Sequence, residues 1–158
     1  MLDDDAISEI LPGPGDMPPW AAPLEDLTDR LKENWGADWG WTRGGCFAFA
    51  ETFVETFGGE LWGVCSQEGS EGDIDFPVEH AIVRVGDAFY DYTGRLDVDA
   101  YRADLERRTG RLTFVKRKDD PQVFWFEDEY LDDEDMDSLK EALLEVRDAN
   151  QHAAPAMA

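Results

Sequence analysis

Apolar and polar positions along the chain switch between a helical period near 3.6 and a strand period near 2, and that switching predicts the elements. The clearest helical run spans 44–59. Cys46, Ala50, Phe53 and Phe57 recur at helical spacing with Phe49 beside them, and Glu51, Thr52, Glu55 and Thr56 fall on the opposite face. Gly44-Gly45 and Gly58-Gly59 bound this run. Its apolar stripe is expected to face the core and to carry Cys46 inward. Upstream, Leu24, Leu27, Leu31 and Trp35 form the stripe of a helix that opens at Pro23, where a missing N–H is harmless, and stops at Gly36.

Downstream, 60–66 reads as a strand. The runs 77–85 and 88–92 flank Gly86-Asp87, a Gly-first two-residue hairpin signal. Asp97 suits the N-cap of a helix over 98–109, with Val98, Tyr101 and Leu105 inward and Gly110 past its end. Alternation predicts strands over 111–118 and 122–126. A last helix over 134–149 carries Met136, Leu139, Leu143 and Val146 on one stripe. Residues 1–22, with Pro12-Gly13-Pro14-Gly15 and Pro18-Pro19, read as an irregular acidic lead-in, and 151–158 as a disordered tail. A single domain over 23–150 is left. The expected fold class is α+β: a central helix with the cysteine at its N-terminal end, packed on an antiparallel sheet of about four to five strands, with flanking helices.

A length of 158 residues with 42% hydrophobic content and six Trp supports one domain with a substantial core. The formal net charge of −23 changes the picture of partners. It excludes direct nucleic-acid binding, which needs a basic footprint, and docking on anionic lipid. Three accounts of the charge remain: adaptation to a high-salt interior, imitation of nucleic acid toward a basic partner, and solvated acidic loops. The acid is segmental, concentrated in Asp3-Asp4-Asp5, in 68–75 and in 127–137. Glu68, Glu71, Asp73, Asp75, Asp132, Asp133, Glu134 and Asp135 are therefore the candidate surface for a basic protein or cationic peptide. No run of about 18 apolar residues predicts a membrane helix, and the acidic N-terminus is unlike a signal peptide. A cytoplasmic protein is expected, with Cys46 and Cys65 both as thiols.

The hairpin allows distance to be read from sequence. With Gly86-Asp87 as the loop, Val85 opposes Ala88, Ile82 opposes Asp91 and His80 opposes Thr93. His80, Ile82, Arg84, Phe89, Asp91 and Thr93 then share one sheet face, and His80 and Asp91 are diagonal neighbours. A carboxylate there would orient the imidazole. Cys46, on the first turn of the central helix, feels the positive end of the backbone dipole, which favours a thiolate. If that helix packs on the His80 face, a nucleophile, a base and a group orienting the base converge. Trp39 and Trp41, in the loop before Cys46, are candidate walls of a substrate pocket. No close ligand pair of the Cys-x-x-Cys or His-x-x-x-His type is present, so no metal or other cofactor is expected.

Gly45-Cys46-Phe47-Ala48-Phe49-Ala50 opening a helix, then His80 on a strand and Asp91 on its partner ahead of Gly94, resembles the papain-like and transglutaminase-like cysteine hydrolases. The helix-then-sheet order resembles their transglutaminase and NlpC/P60-type branch, and the pattern is similar to that of small phage and bacterial proteins. The resemblance covers residues 40–95 and implies Cys46 as nucleophile, His80 as base and later acid, and Asp91 as orienter, acting on an amide through a thioester. It departs from the papain pattern in having no Gln just upstream of Cys46. Asn34, Trp39 and Trp41 are the side-chain donors available for an oxyanion. The competing expectation is a non-catalytic acidic binder on the same scaffold, blocking a basic partner.

Overall fold

Helix α1 (Ala21–Trp35) starts two residues ahead of Pro23 and ends at Gly36, whose N–H bonds back to the Lys32 carbonyl at 2.9 Å. The computed structural model describes residues 18–36, 40, 45–66, 76–124 and 133–153. The lead-in expected to be irregular contributes to the core before α1 begins. Trp20 is fully buried and meets Phe49, Phe53 and Phe57 at ring-centroid distances of 5.3, 5.9 and 6.2 Å. Its indole N–H donates to the Tyr92 carbonyl at 2.8 Å. Aromatic pairs at such separations add to the energy of simple burial, so the folded unit starts earlier than 23.

Helix α2 (Gly45–Phe57) is the central helix, as its spacing predicts. One expectation fails: Thr52 and Thr56 are buried rather than on a wet face. The long helix α4 (Asp133–Ala153) packs along α2, and Lys140 Nζ stands 3.9 Å from Glu55 Oε2. The Thr52 hydroxyl satisfies itself by donating to the Ala48 carbonyl at 2.8 Å, which is how a polar residue enters a helix interface cheaply. Helix α4 also extends beyond 149 and takes in 151–153, which the sequence reading assigned to the tail.

Five antiparallel strands form the sheet in the order β4-β3-β2-β1-β5: β1 (Glu60–Ser66), β2 (Phe76–Val85), β3 (Ala88–Asp91), β4 (Gly94–Leu96) and β5 (Thr113–Arg117). The two residues of β6 (Val123–Phe124) pair in parallel with Phe76 and Pro77. The β2–β3 hairpin has the predicted register, Val85 opposite Ala88 and Val83 opposite Tyr90. Strand β3 is one residue shorter than predicted. Tyr92-Thr93 turn the chain into β4, a strand the hydrophobic pattern does not announce. Strand β5 starts at Thr113 rather than 111, which leaves Leu112 63% exposed. Helix α3 (Val98–Thr109) has the predicted caps: Asp97 Oδ1 accepts from Ala100 N at 3.1 Å, and Gly110 takes the left-handed φ of 72°.

The sheet buries both faces. Cys65, Val78, Ala81, Val83, Val85 and Tyr90 meet α2, α1 and α4 in the main core. Val64 and Ile82, with Trp62, Phe89, Leu96 and Val115 around them, meet Leu105, Val98 and Tyr101 of α3 in a smaller one. Among the described residues no helix is long and apolar enough to cross a membrane.

Candidate active site

Strand β2 delivers His80 through an irregularity. Val64 pairs with His80 but Cys65 pairs with Val78, so Glu79 is an extra residue and the ladder carries a β-bulge. The bulge resets the alternation of side chains: Val78 and Ala81 both join the α2-side core although they are three apart. His80 keeps company with Ile82 on the α3 side, where its ring stacks on Tyr101 at 4.9 Å between centroids and 28° between planes. Glu79 Oε1 accepts the Ser66 hydroxyl at 2.7 Å next to it.

Asp91 ends β3 and uses its two oxygens differently. Oδ1 accepts the Thr93 N–H at 2.9 Å and the Thr93 hydroxyl, which makes the local turn. Oδ2 accepts His80 Nε2–H at 2.8 Å. The turn role and the orienting role, which compete in a sequence reading, coexist on one carboxylate. The pair is sealed from water: Cys46, His80 and Asp91 are 3%, 0% and 4% exposed. Burial alone would push the imidazole toward its neutral form. The Asp91 hydrogen bond, reinforced by Cys46, overrides this and holds its pKa up at about 9.

The central helix does not pack on the His80 face as the simplest convergence requires. Its stripe meets Ala81, Val83, Val85 and Tyr90 on the other side of the sheet. Cys46 is nevertheless brought to the site, because it lies at the helix end rather than along its length. Strand β3 pairs with β2 only over Val83–Val85, so His80 meets β3 through the Asp91 side chain and not through the backbone ladder. There the Cys46 sulfur is near enough to favour the charged imidazole and to disfavour ionisation of Tyr101. The contact stops short of an aligned hydrogen bond, since His80 Nδ1 is buried without a partner. Such contacts are commonly loose in a free enzyme and tighten around substrate. The three groups can thus support proton transfer from a thiol to an imidazole held by a carboxylate.

Of the other candidates, Trp39, Trp41, Glu68, Glu71, Asp73, Asp75 and Asp132 lie outside the described residues. Asn34 is exposed on α1 and takes no part in the buried cluster. Asp133 and Glu134 are exposed on the first turn of α4. Asp135 is a correction: it is 3% exposed and accepts from Arg30 Nη2 at 3.3 Å, so it ties α4 to α1 instead of facing a partner. Cys65 is buried in β1, and burial pushes its thiol up to about 12, which makes it an inert core residue. Both cysteines are free.

Tyr101 is the residue that sequence reasoning assigned only to the core. Burial first, and then the neighbouring Cys46 side chain, push its phenol up to about 12. A hydroxyl-bearing ring on an inward stripe where Leu or Val would pack was the available signal. No family model, no curated protein and no solved structure matches this chain.

Proposed function

We propose that this protein is a thiol-dependent amide hydrolase or acyl transferase in which Cys46 is the nucleophile, His80 the base and then the acid, and Asp91 the orienter. One observation carries the reading: a buried imidazole bonded to a carboxylate at 2.8 Å, with a helix-terminal thiol beside the same ring. The proton shared by Cys46 and His80 rests on the imidazole, whose pKa is held up at about 9, so the sulfur attacks the acyl carbon as a thiolate beside an imidazolium. The C–N bond then breaks, the amine leaves with the proton from His80, and a thioester remains on Cys46. Water or a second amine, deprotonated by His80, cleaves the thioester and restores the thiol. The order of Cys46, His80 and Asp91 along the chain supports kinship of mechanism with papain-like and transglutaminase-like hydrolases. The net charge of −23 favours a cationic peptide or basic protein as the substrate, steered in by long-range attraction. Two free cysteines suit a reducing compartment such as the cytoplasm.

The burial of all three groups favours a second reading, an acidic binder that retains the scaffold without turnover. Iodoacetamide alkylation of Cys46 against pH separates the two. The enzyme reading expects labelling to be half-maximal well below pH ~8.5, and to move toward that ordinary thiol value in His80→Gln. A thiol that stays unreactive across the range, in a protein that binds a basic partner in a salt-sensitive way, supports the binder.

A further inference from the structure

The hydrogen bond between His80 Nε2 and Asp91 Oδ2 fixes one direction within the imidazole plane, but leaves the ring free to swing about that direction. A second constraint is needed before Nδ1 has a single place to face. The Tyr101 ring supplies a flat surface 4.9 Å away and 28° from parallel. We propose that Tyr101 is a positioning residue of the Cys46–His80–Asp91 site, whose aromatic face sets the plane of the His80 ring and favours its charged form. The inference rests on the thiol reading given above.

Several features converge on this role. An imidazolium over an aromatic face is attracted by the ring's negative quadrupole, more strongly when water is excluded. The covering ring also keeps the Nε2–Oδ2 bond in a low-dielectric setting, where it is stronger. Helix α3 is anchored on both sides of Tyr101. Asp97 caps its start, and Arg102 Nη2 donates to the Thr113 carbonyl at 2.6 Å one residue further on. The inward neighbours Val98 and Leu105 are aliphatic, so packing alone does not call for a phenol at this position.

The chain has two histidines, His80 and His152, so a His152→Gln background leaves one imidazole to follow by NMR. In that background Tyr101→Leu is expected to lower the His80 titration midpoint by about one pH unit, and to slow Cys46 alkylation by iodoacetamide about tenfold at neutral pH. Tyr101→Phe, which keeps the ring, should bring both readouts back to within about twofold of the parent. Tyr101→Met serves as the second non-planar side chain should Tyr101→Leu fold poorly. A His80 midpoint that stays in place in the Leu and Met variants overturns the proposal, whatever their loss of stability. Cys46→Ser tests the underlying reading separately: if it leaves the His80 midpoint unmoved, the thiol–imidazole coupling is wrong, while the effect of Tyr101 is still measured.

Discussion

His80 donates through Nε2 to Asp91 Oδ2 at 2.8 Å, with both side chains out of reach of water. The raised pKa of His80, about 9 against an ordinary 6.5, makes this pair a source of pH-dependent stability. The folded state binds the proton more tightly than the unfolded chain, so the stabilisation is fully present below the unfolded pKa and is lost as pH rises through the folded one. Stability by urea unfolding should therefore fall between pH 6.5 and 9, by an amount on the order of 3 kcal/mol. In Asp91→Asn the slope should shrink, because the carboxylate that favours the imidazolium is gone. A wild-type curve flat across this interval would show that the ring is neutral in the fold.

Trp20 connects the core to the same carboxylate. Its indole N–H holds the Tyr92 carbonyl at 2.8 Å, one residue after Asp91, while its rings fill the space among Phe49, Phe53 and Phe57. Trp20→Phe keeps most of the apolar volume and orphans the carbonyl, a loss of about 1–2 kcal/mol. Trp20→Ala adds a large cavity, for about 3–5 kcal/mol in all. Thermal unfolding of both variants checks the order. A truncation beginning at Pro23 should behave like Trp20→Ala. If that truncation is as stable as the full chain, Trp20 is not part of the folding unit.

The parts of this architecture that were legible in the sequence are those specified by local period and parity. The hairpin at Gly86-Asp87 has two loop residues, and side chains alternate along strands, so His80 and Asp91 could be put on one face without coordinates. The central helix announced itself because Phe49, Phe53 and Phe57 recur at its period. What was not legible depends on pairing between distant segments. The bulge at Glu79 arises between β1 and β2 and leaves no mark in either strand alone. Thr52, Thr56 and Asp135 looked like surface residues because burial by segments distant in sequence, such as the approach of Arg30 to Asp135, leaves no local mark. Tyr101 reaches His80 from a separate helix, a relation no spacing encodes. The face on which α2 packs is likewise decided by the whole sheet, and the simple version of that expectation failed.

The bulge can be perturbed from the neighbouring strand. Gly63 sits on β1 opposite Ala81, and a Cβ there would stand 2.9 Å from both Val78 methyl carbons. Gly63→Ala should therefore cost about 1–3 kcal/mol through overpacking beside the segment that aims His80. Val78→Ala removes the clashing methyls, so the double variant should recover part of the loss relative to the sum of the two single ones. Chemical denaturation of the four proteins completes the cycle. Strict additivity would mean that the glycine is retained for some reason other than the approach of Val78.

Helix α3 is held over the site mostly by polar contacts, and these converge on one threonine. Thr113, at the start of β5, receives Arg102 Nε on its hydroxyl at 3.1 Å and Arg102 Nη2 on its carbonyl at 2.6 Å. Its own N–H and hydroxyl donate to Glu106 Oε2 at 2.7 and 2.9 Å. Against this, Leu105 is the one fully enclosed apolar side chain of α3 among the described residues, so the clasp carries an unusual share of the attachment. Thr113→Val preserves shape and β-propensity but deletes the hydroxyl, which leaves an Arg102 nitrogen and a Glu106 oxygen each short of a partner. Both partners reach water, so the expected loss is the net worth of an ordinary hydrogen bond, about 0.5–1.5 kcal/mol. Because Tyr101 rides on α3, the same change should also speed hydrogen exchange along 98–109 more than along α2. Equal protection of the two helices in Thr113→Val would show that α3 is secured by its apolar face alone, and that the Thr113 network is incidental to the placement of Tyr101.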